Sequence, residues 1–396
     1  MAQGVSNSNR PAKPPIWNDP VYRALFFQFL VLGGVIALGA YLISNTLDNL
    51  ARQGIASGFG FLDTTAGFSI LMSLIDYSEE NTYGRAFFVG LFNTLLVAGI
   101  GIFFATIFGF LVGVARLSSN WLLAKMATVY IETLRNIPLL LQIFFWYFGV
   151  LRNLPAPRDS VMVMESFFLN NRGLYSPKPV LEDGFALISW AFVAAIVIII
   201  FMAKWAHKRQ EKTGQQFHTV YASIGIIIGL PSIAAVIAGF PMSWNYPELT
   251  GFNFTGGIVV IPELVSLALA LSLYTATFIA EIVRSGIMAV SHGQTEASYA
   301  LGIKPGVTLR KVVIPQALRV IIPPLTSQYL NLTKNSSLAA AIAYPDLVLV
   351  FGGIVLNQTG QAIEVLSITM AVYLTISLLI SAFMNWYNNK MALVER

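Results

Sequence analysis

Residues 286–317 read GIMAVSHGQTEASYALGIKPGVTLRKVVIPQA. The stretch is polar, basic and punctuated by Gly and Pro, and it lies between long apolar segments. Residues 294–300 favour a helix. Gly302 follows, where a glycine ends helices, and Lys304-Pro305 breaks any continuation. A second amphipathic turn then runs to Pro315. A helix that exposes Glu296 and Ala297 at its start offers a small, rigid surface carrying one acid. Such a surface suits docking into a groove of another protein. An amphipathic helix lying on a membrane surface has the same pattern.

The flanking chain selects the setting. The protein has 396 residues, 56% hydrophobic and 11% charged, with a mean hydropathy of +0.69. Soluble domains carry roughly a quarter charged residues, so this is an integral membrane protein. Its uncharged runs are continuous rather than alternating, which makes them helices and not barrel strands. The net charge of +5 does not indicate nucleic acid, because the basic residues sit in loops beside apolar segments. With no cysteine there is no disulfide and no thiolate metal site. His207, His218 and His292 fall in expected loops without metal-ligand spacing, so neither a metal nor a catalytic residue is expected.

The hydropathy pattern predicts an all-α fold with eight spanning helices, near 23–43, 86–115, 128–151, 184–203, 219–239, 262–283, 320–344 and 363–387. The Gly-rich stretch 347–361 reads as an extension or re-entrant turn, not a ninth span. The chain divides into a tail (1–22), a first helix with its loop (23–85), a segment 86–151, an inserted region of loops and a helix pair (152–261), and a segment 262–396 that contains the loop 286–317. With both termini in the cytoplasm, Arg116 and Lys125, the 204–212 cluster, and Arg284, Lys304, Arg310, Lys311 and Arg319 all face inward. The acidic first loop and the Lys/Arg-free 241–260 face outward. Loop 152–183, with Arg152, Arg158, Arg172 and Lys178, dissents.

Three further constellations stand out. Pro138 should bend its helix by freeing a carbonyl, Arg135 is one turn from Glu132, and Gln142 sits inside an apolar run. Ser327, Asn331 and Asn335 recur every four residues, with Gln328, Lys334 and Ser336 beside them. This stripe fits a transport pathway, and it equally fits packing against another subunit. Glu281 and Arg284 form an i,i+3 pair that either holds a substrate's ammonium and carboxylate or satisfies itself. No G-x-x-x-x-G-K-[ST] occurs, so nothing in the sequence holds ATP phosphates.

Glu296-Ala297-Ser298, Gly302, Val312-x-Ile314-Pro315 resembles the cytoplasmic EAA loop of bacterial ABC importer permeases, with Ser298, Val312 and Ile314 as mild departures. Flanking Gly286, Ala289, Gly293 and Gln294 are similar to the amino-acid-importer version. Residues 135–142 resemble that family's R-G-T-P-L-L-x-Q segment, with Asn136-Ile137 replacing Gly-Thr. Segments 86–151 and 262–390 look like its five-helix type I core. Residues 49–70 and the C-terminal sequence resemble the Q-type permease subunits of general L-amino-acid transport systems. The resemblance implies a multi-pass inner-membrane subunit that imports L-amino acids by alternating access. It implies two copies of an ATPase that holds ATP and Mg, a second related permease, and a periplasmic amino-acid-binding protein. Gly293, Gln294, Glu296, Ala297, Ser298, Gly302 and Pro315 would dock the ATPase. Arg135, Gln142, Glu281, Ser327, Gln328, Asn331, Asn335 and Ser336 would line the pathway. An ion-coupled transporter would need buried acids and inverted repeats, and the sequence offers few of the first and none of the second. A non-transporting accessory subunit would not need the polar stripe.

Overall fold

The computed structural model describes residues 15, 17, 19–52, 54 and 57–391; most of the expected tail 1–22, and Arg396, lie outside them. In chain order come α1 (Pro20–Arg52), α2 (Tyr83–Arg116), α3 (Trp121–Asn136) and α4 (Leu139–Phe144), which continues as a π-helical turn, Phe145–Val150. Strands β1 (Val161–Val163), β2 (Phe167–Asn170), β3 (Gly173–Ser176) and β4 (Lys178–Leu181) precede the helix pair α5 (Phe185–Thr213) and α6 (Thr219–Ile237). Strands β5 (Met242–Asn245), β6 (Glu248–Thr250), β7 (Asn253–Thr255) and β8 (Ile258–Val260) lead into α7 (Pro262–Met288). Then follow α8 (His292–Ala300), α9 (Pro305–Thr308), α10 (Ile314–Asn335), α11 (Leu356–Thr359) and α12 (Ala362–Met391).

Among the described residues, six helices are long and apolar enough to cross a membrane: α1 over Pro20–Thr46, α2, α5, α6, α7 and α12. The other two expected spans take different forms. The third is a broken pair, Trp121–Asn136 and Leu139–Asn153, bent by 104°. The seventh is α10, whose polar stripe keeps it out of the apolar set. It ends at Asn335, where a tighter turn, Ser336–Ile342, takes over. Pro323 and Pro324 both lie inside α10. The stretch 347–361 is a short helical segment, Val348–Thr359, stopped by Gly360.

Two compact units are described here separately: residues up to Gly90 with Leu347–Leu374, and Leu91–Asp346 with the chain from Thr375. The first has its own core of Phe61, Ala66, Tyr83, Ala86, Leu347, Val350, Phe351, Val355 and Val365. Polar ties join the segment 57–82 and the start of α2 to the rest of the unit. The Gly58 N–H donates to Glu364 Oε1 at 2.7 Å and the Tyr83 hydroxyl to Gln358 Oε1 at 3.0 Å.

The second unit is organised on α7, which buries Leu264, Leu267, Leu271, Ile279 and Val283 along with Ser266, Thr275 and Thr277. Lipid offers helices no hydrophobic reason to associate, so close contact and hydrogen bonds hold them. α2 reaches α7 at Gly109, where a Cβ would sit 2.5 Å from Ile279 Cβ. α3 reaches it through the Tyr130 hydroxyl, which donates to the Leu273 carbonyl at 2.8 Å. The 104° break at Pro138 frees carbonyls that need partners within the chain or in solvent. The buried Gln142 amide donates to two of them, Leu134 O at 2.7 Å and Ile137 O at 2.9 Å. That accounts for a Gln within an apolar run.

The segments 152–183 and 241–260, expected as loops, fold as a lobe of short antiparallel strands: β1-β2-β3-β8, β4-β5 and β6-β7. Phe168, Tyr175 and Phe254 stack at its centre, with ring centroids 4.6 and 4.9 Å apart. Burial pushes the Tyr175 hydroxyl above its ordinary pKa, and it donates to Asn253 Oδ1 at 3.1 Å. Buried Asn170 bridges Ser160 Oγ and the Arg172 N–H.

Two substitutions test this packing. Gln142→Leu keeps the volume but strands two carbonyls, and it should cost about 1–3 kcal/mol, read as a lower unfolding midpoint in detergent. Gly109→Ala should cost about 1–3 kcal/mol by overpacking. Gly99→Ala, where an added Cβ meets nothing within 4 Å, should leave the midpoint unchanged; equal effects of the two alanines would contradict the close approach.

Candidate functional site

The loop between α7 and α10 builds a small helical platform. α8 starts after Ser291 and stops at Gly302, which adopts φ +71°. The Gly302 N–H donates to Tyr299 O at 2.9 Å and the Ile303 N–H to Ser298 O at 3.0 Å. This left-handed cap favours glycine, as the sequence pattern required. Pro305 then opens α9, and a π-helical turn, Leu309–Val313, carries the chain into α10, with Pro315 half-buried in the first turn.

The platform separates its residues by role. Ser298 is buried and its hydroxyl returns to Gln294 O at 2.7 Å. Ser in the second alanine position therefore fits without leaving a polar group open. Gly293, Gln294, Glu296 and Ala297 are exposed. The Glu296 side chain is 70% exposed, with only His292 Nδ1 as neighbour at 3.0 Å. Gln316 reaches across to Gln294 at 3.5 Å. Leu301 is 79% exposed. A groove of about 480 Å³ runs beside α8, lined by Met288, Thr295, Tyr299, Pro305 and Leu309 among others. One acid thus stands beside uncovered apolar side chains and a groove.

Two residues flank an ionic node at the same end of α7. Arg284 donates to Glu281 Oε1 through Nε at 2.9 Å and Nη2 at 2.5 Å. Arg116, at the end of α2, takes the other carboxylate oxygen of Glu281 and lies 3.7 Å from Glu132. Glu132 thus faces Arg116, not Arg135. Arg135 instead donates to the Thr277 carbonyl at 3.2 Å and stacks over Phe278 at 5.1 Å. Arg116, counted in the sequence only as loop charge, joins the node through an approach that no sequence spacing reveals.

α10 is two-faced. Ile321, Ile322, Leu325, Leu332 and Thr333 are buried. Ser327, Asn331 and Lys334 are exposed, and Gln328 and Asn335 are half-buried. Among the described residues, the side chains of these five make no hydrogen bond or ion pair within the chain. Ser336 is buried and turns its hydroxyl to Thr333 O at 2.7 Å. The structure therefore separates the expected pathway residues. Arg135, Gln142, Glu281 and Ser336 have partners inside the chain, whereas Ser327, Gln328, Asn331 and Asn335 present open polar groups.

Comparison with known proteins identifies the family. Residues 214–393 match the family described as binding-protein-dependent transport system inner membrane component. The chain is 58% identical to the general L-amino acid transport system permease protein AapQ of Rhizobium johnstonii, over 96% of this chain and 94% of that one. It is 42% identical to the glutamate/glutamine/aspartate/asparagine transport system permease protein BztB of Rhodobacter capsulatus, over 96% of each. Among solved structures, the crystal structure of an amino acid ABC transporter with histidines matches at 20% identity with a TM-score of 0.47, covering 78% of this chain and 95% of that one. With 58% identity to such a permease over nearly its whole length, this chain belongs to the inner-membrane permeases of binding-protein-dependent amino-acid ABC transport systems.

Proposed function

We propose that this permease carries L-amino acids inward across the inner membrane, paired with a second, related permease, and that α8 seats it in a separate ATPase. Two ATPase copies hold ATP and Mg, and a periplasmic binding protein delivers substrate. Both termini face the cytoplasm, as the distribution of Lys and Arg supports. The observation that carries the reading is the open polar face of α10: Ser327, Asn331 and Lys334 project from a helix whose other face is buried. Lipid cannot satisfy these groups. A hydrated pathway shared with the second permease can. There, the amides and the Lys334 ammonium would meet the carboxylate and ammonium of a passing amino acid. The Glu281 node fixes α2 and α7 beside α8, so movement of the docked loop reaches the helices as a unit. Substrate and ATP need only bias the outward- and inward-facing states differently.

Uptake of radiolabelled L-amino acids into proteoliposomes holding the assembled transporter and binding protein tests this. It should require hydrolysable ATP. Uptake that persists with a non-hydrolysable analogue and collapses with an ion gradient would overturn the reading. Glu296→Arg places a cation where α8 presents its one acid. Recovery of the ATPase with the purified permease should fall by about tenfold or more, equivalent to about 1.4 kcal/mol, with membrane insertion intact; undiminished co-purification would remove the docking role. Asn331→Leu should cut uptake while the ATPase still co-purifies. Normal transport in that variant would make the stripe a packing surface.

A further inference from the structure

The strand lobe sits at the far end of α7 from the docking helix. β8 ends two residues before α7 begins, and α8 begins four residues after α7 ends. The 27 residues between rise about 40 Å at 1.5 Å each. Lobe and docking helix therefore lie on opposite sides of the membrane.

On this lobe, β5, β6 and β7 enclose a cleft of about 370 Å³ lined by Trp244, Asn245, Tyr246, Glu248, Thr255 and Gly256. Its aromatic side chains are uncovered: Trp244 is 48% and Tyr246 52% exposed. Every residue of β6 is exposed, and among the described residues the Glu248 carboxylate has no ion-pair partner. No Lys or Arg occurs in 241–260. Two electron-rich rings beside a free carboxylate, with no cation in the segment, attract a positively charged group. The lobe already shows this chemistry once. The Arg158 guanidinium lies 4.2 Å over the Phe252 ring at the neighbouring hairpin tip and reaches Gly251 O at 3.4 Å. At Phe252 the chain supplies its own cation; among the described residues no cation stacks on Trp244 or Tyr246, and the basic residue in register with the cleft is Lys178 of β4, opposite Asn245.

We propose that this cleft receives a lysine or arginine side chain of the substrate-binding protein as it docks on the outer face, an assignment that rests on the reading of the chain as a binding-protein-dependent importer. The cleft is open and shallow, and half-exposed Trp and Tyr are the side chains that anchor protein interfaces. Both features favour an approaching protein over a free small ligand. The cleft acts on capture of the loaded binding protein and not on the later passage of substrate.

The test measures the affinity of the purified binding protein for the whole transporter in nanodiscs, together with uptake at rising binding-protein concentration. Glu248→Lys reverses the charge on an exposed strand and does not touch the Phe168–Tyr175–Phe254 centre of the lobe. It should raise the Kd by about tenfold and raise the concentration giving half-maximal uptake in step, with the maximal rate unchanged. Glu248→Gln should have a smaller effect in the same direction, and Tyr246→Ala should resemble Glu248→Lys. An unchanged Kd in all three variants would overturn the proposal, as would a lower maximal rate at constant Kd. Equilibrium dialysis of radiolabelled L-lysine against the transporter without binding protein supplies a further arm. Retention that Glu248→Gln abolishes would make the cleft a small-ligand site and overturn docking. A wild-type transporter that binds the binding protein yet imports no amino acid would refute the importer reading, while the Kd series still reports on the cleft.

Discussion

The packing of α2, α3 and α10 depends on how closely these helices can approach α7. At Gly109 the α2 backbone comes so near that a single methyl would lie 2.5 Å from Ile279 Cβ. In water such a contact would be one of many ways to bury apolar surface. In lipid it is the main source of cohesion, since apolar side chains gain nothing by leaving acyl chains. Contact at that distance brings backbones into dispersion range and lets side chains reach carbonyls on the next helix, as Tyr130 does at Leu273 and Arg135 at Thr277. α7 thus works as a strut with ordered neighbours along its length, the strand lobe at its start and the docking helix after its end.

The ionic node follows from the same closeness. Burying charge near a membrane is costly unless each ion is paired and hydrogen-bonded. Glu281 meets the condition because α2 ends where α7 can use it: Arg116 takes one carboxylate oxygen and Arg284 the other. Glu132 extends the network to α3. Removing any one member would leave an uncompensated charge, so the three helices are held together at the end where α8 leaves. The proposed docking role of α8 needs a stiff root, and a network of this kind would supply it.

How much of this could be read from the sequence varied by element. The long uncharged runs gave most of the spanning helices, because a membrane core demands about 20 apolar residues whatever the fold. The α8 platform was legible down to its Gly302 cap, since the left-handed conformation leaves a glycine in the chain as its mark. The Pro138 break was legible as a bend, but its 104° angle and the service of Gln142 to Leu134 and Ile137 were not. Those depend on which carbonyls the break frees. The lobe was missed because its strands are three or four residues long, too short for alternation to emerge. Only turn residues around 171–173 and 251–253 hinted at hairpins. Arg116 was misjudged as a loop charge because its partner lies 165 residues away.

The sharpest division the structure makes is among polar groups on membrane helices. Gln142, Arg135, Glu281 and Ser336 all make hydrogen bonds inside the chain. They are the groups that let a bent helix, a crowded interface and a helix end exist in lipid. Among the described residues, the side chains of Ser327, Asn331 and Lys334 find no partner, and all three are exposed. A membrane protein cannot leave such a face against acyl chains without losing several kcal/mol per unsatisfied group. An inert scaffold would have no reason to keep it. Interhelical hydrogen bonding alone would explain one or two amides, and such bonds contribute only about 0.6 kcal/mol on average. It does not explain a lysine left without an acid. A cation and several amides held along one face suit a surface where water and a zwitterionic solute pass, which is the reason for proposing the pathway along the exposed side of α10.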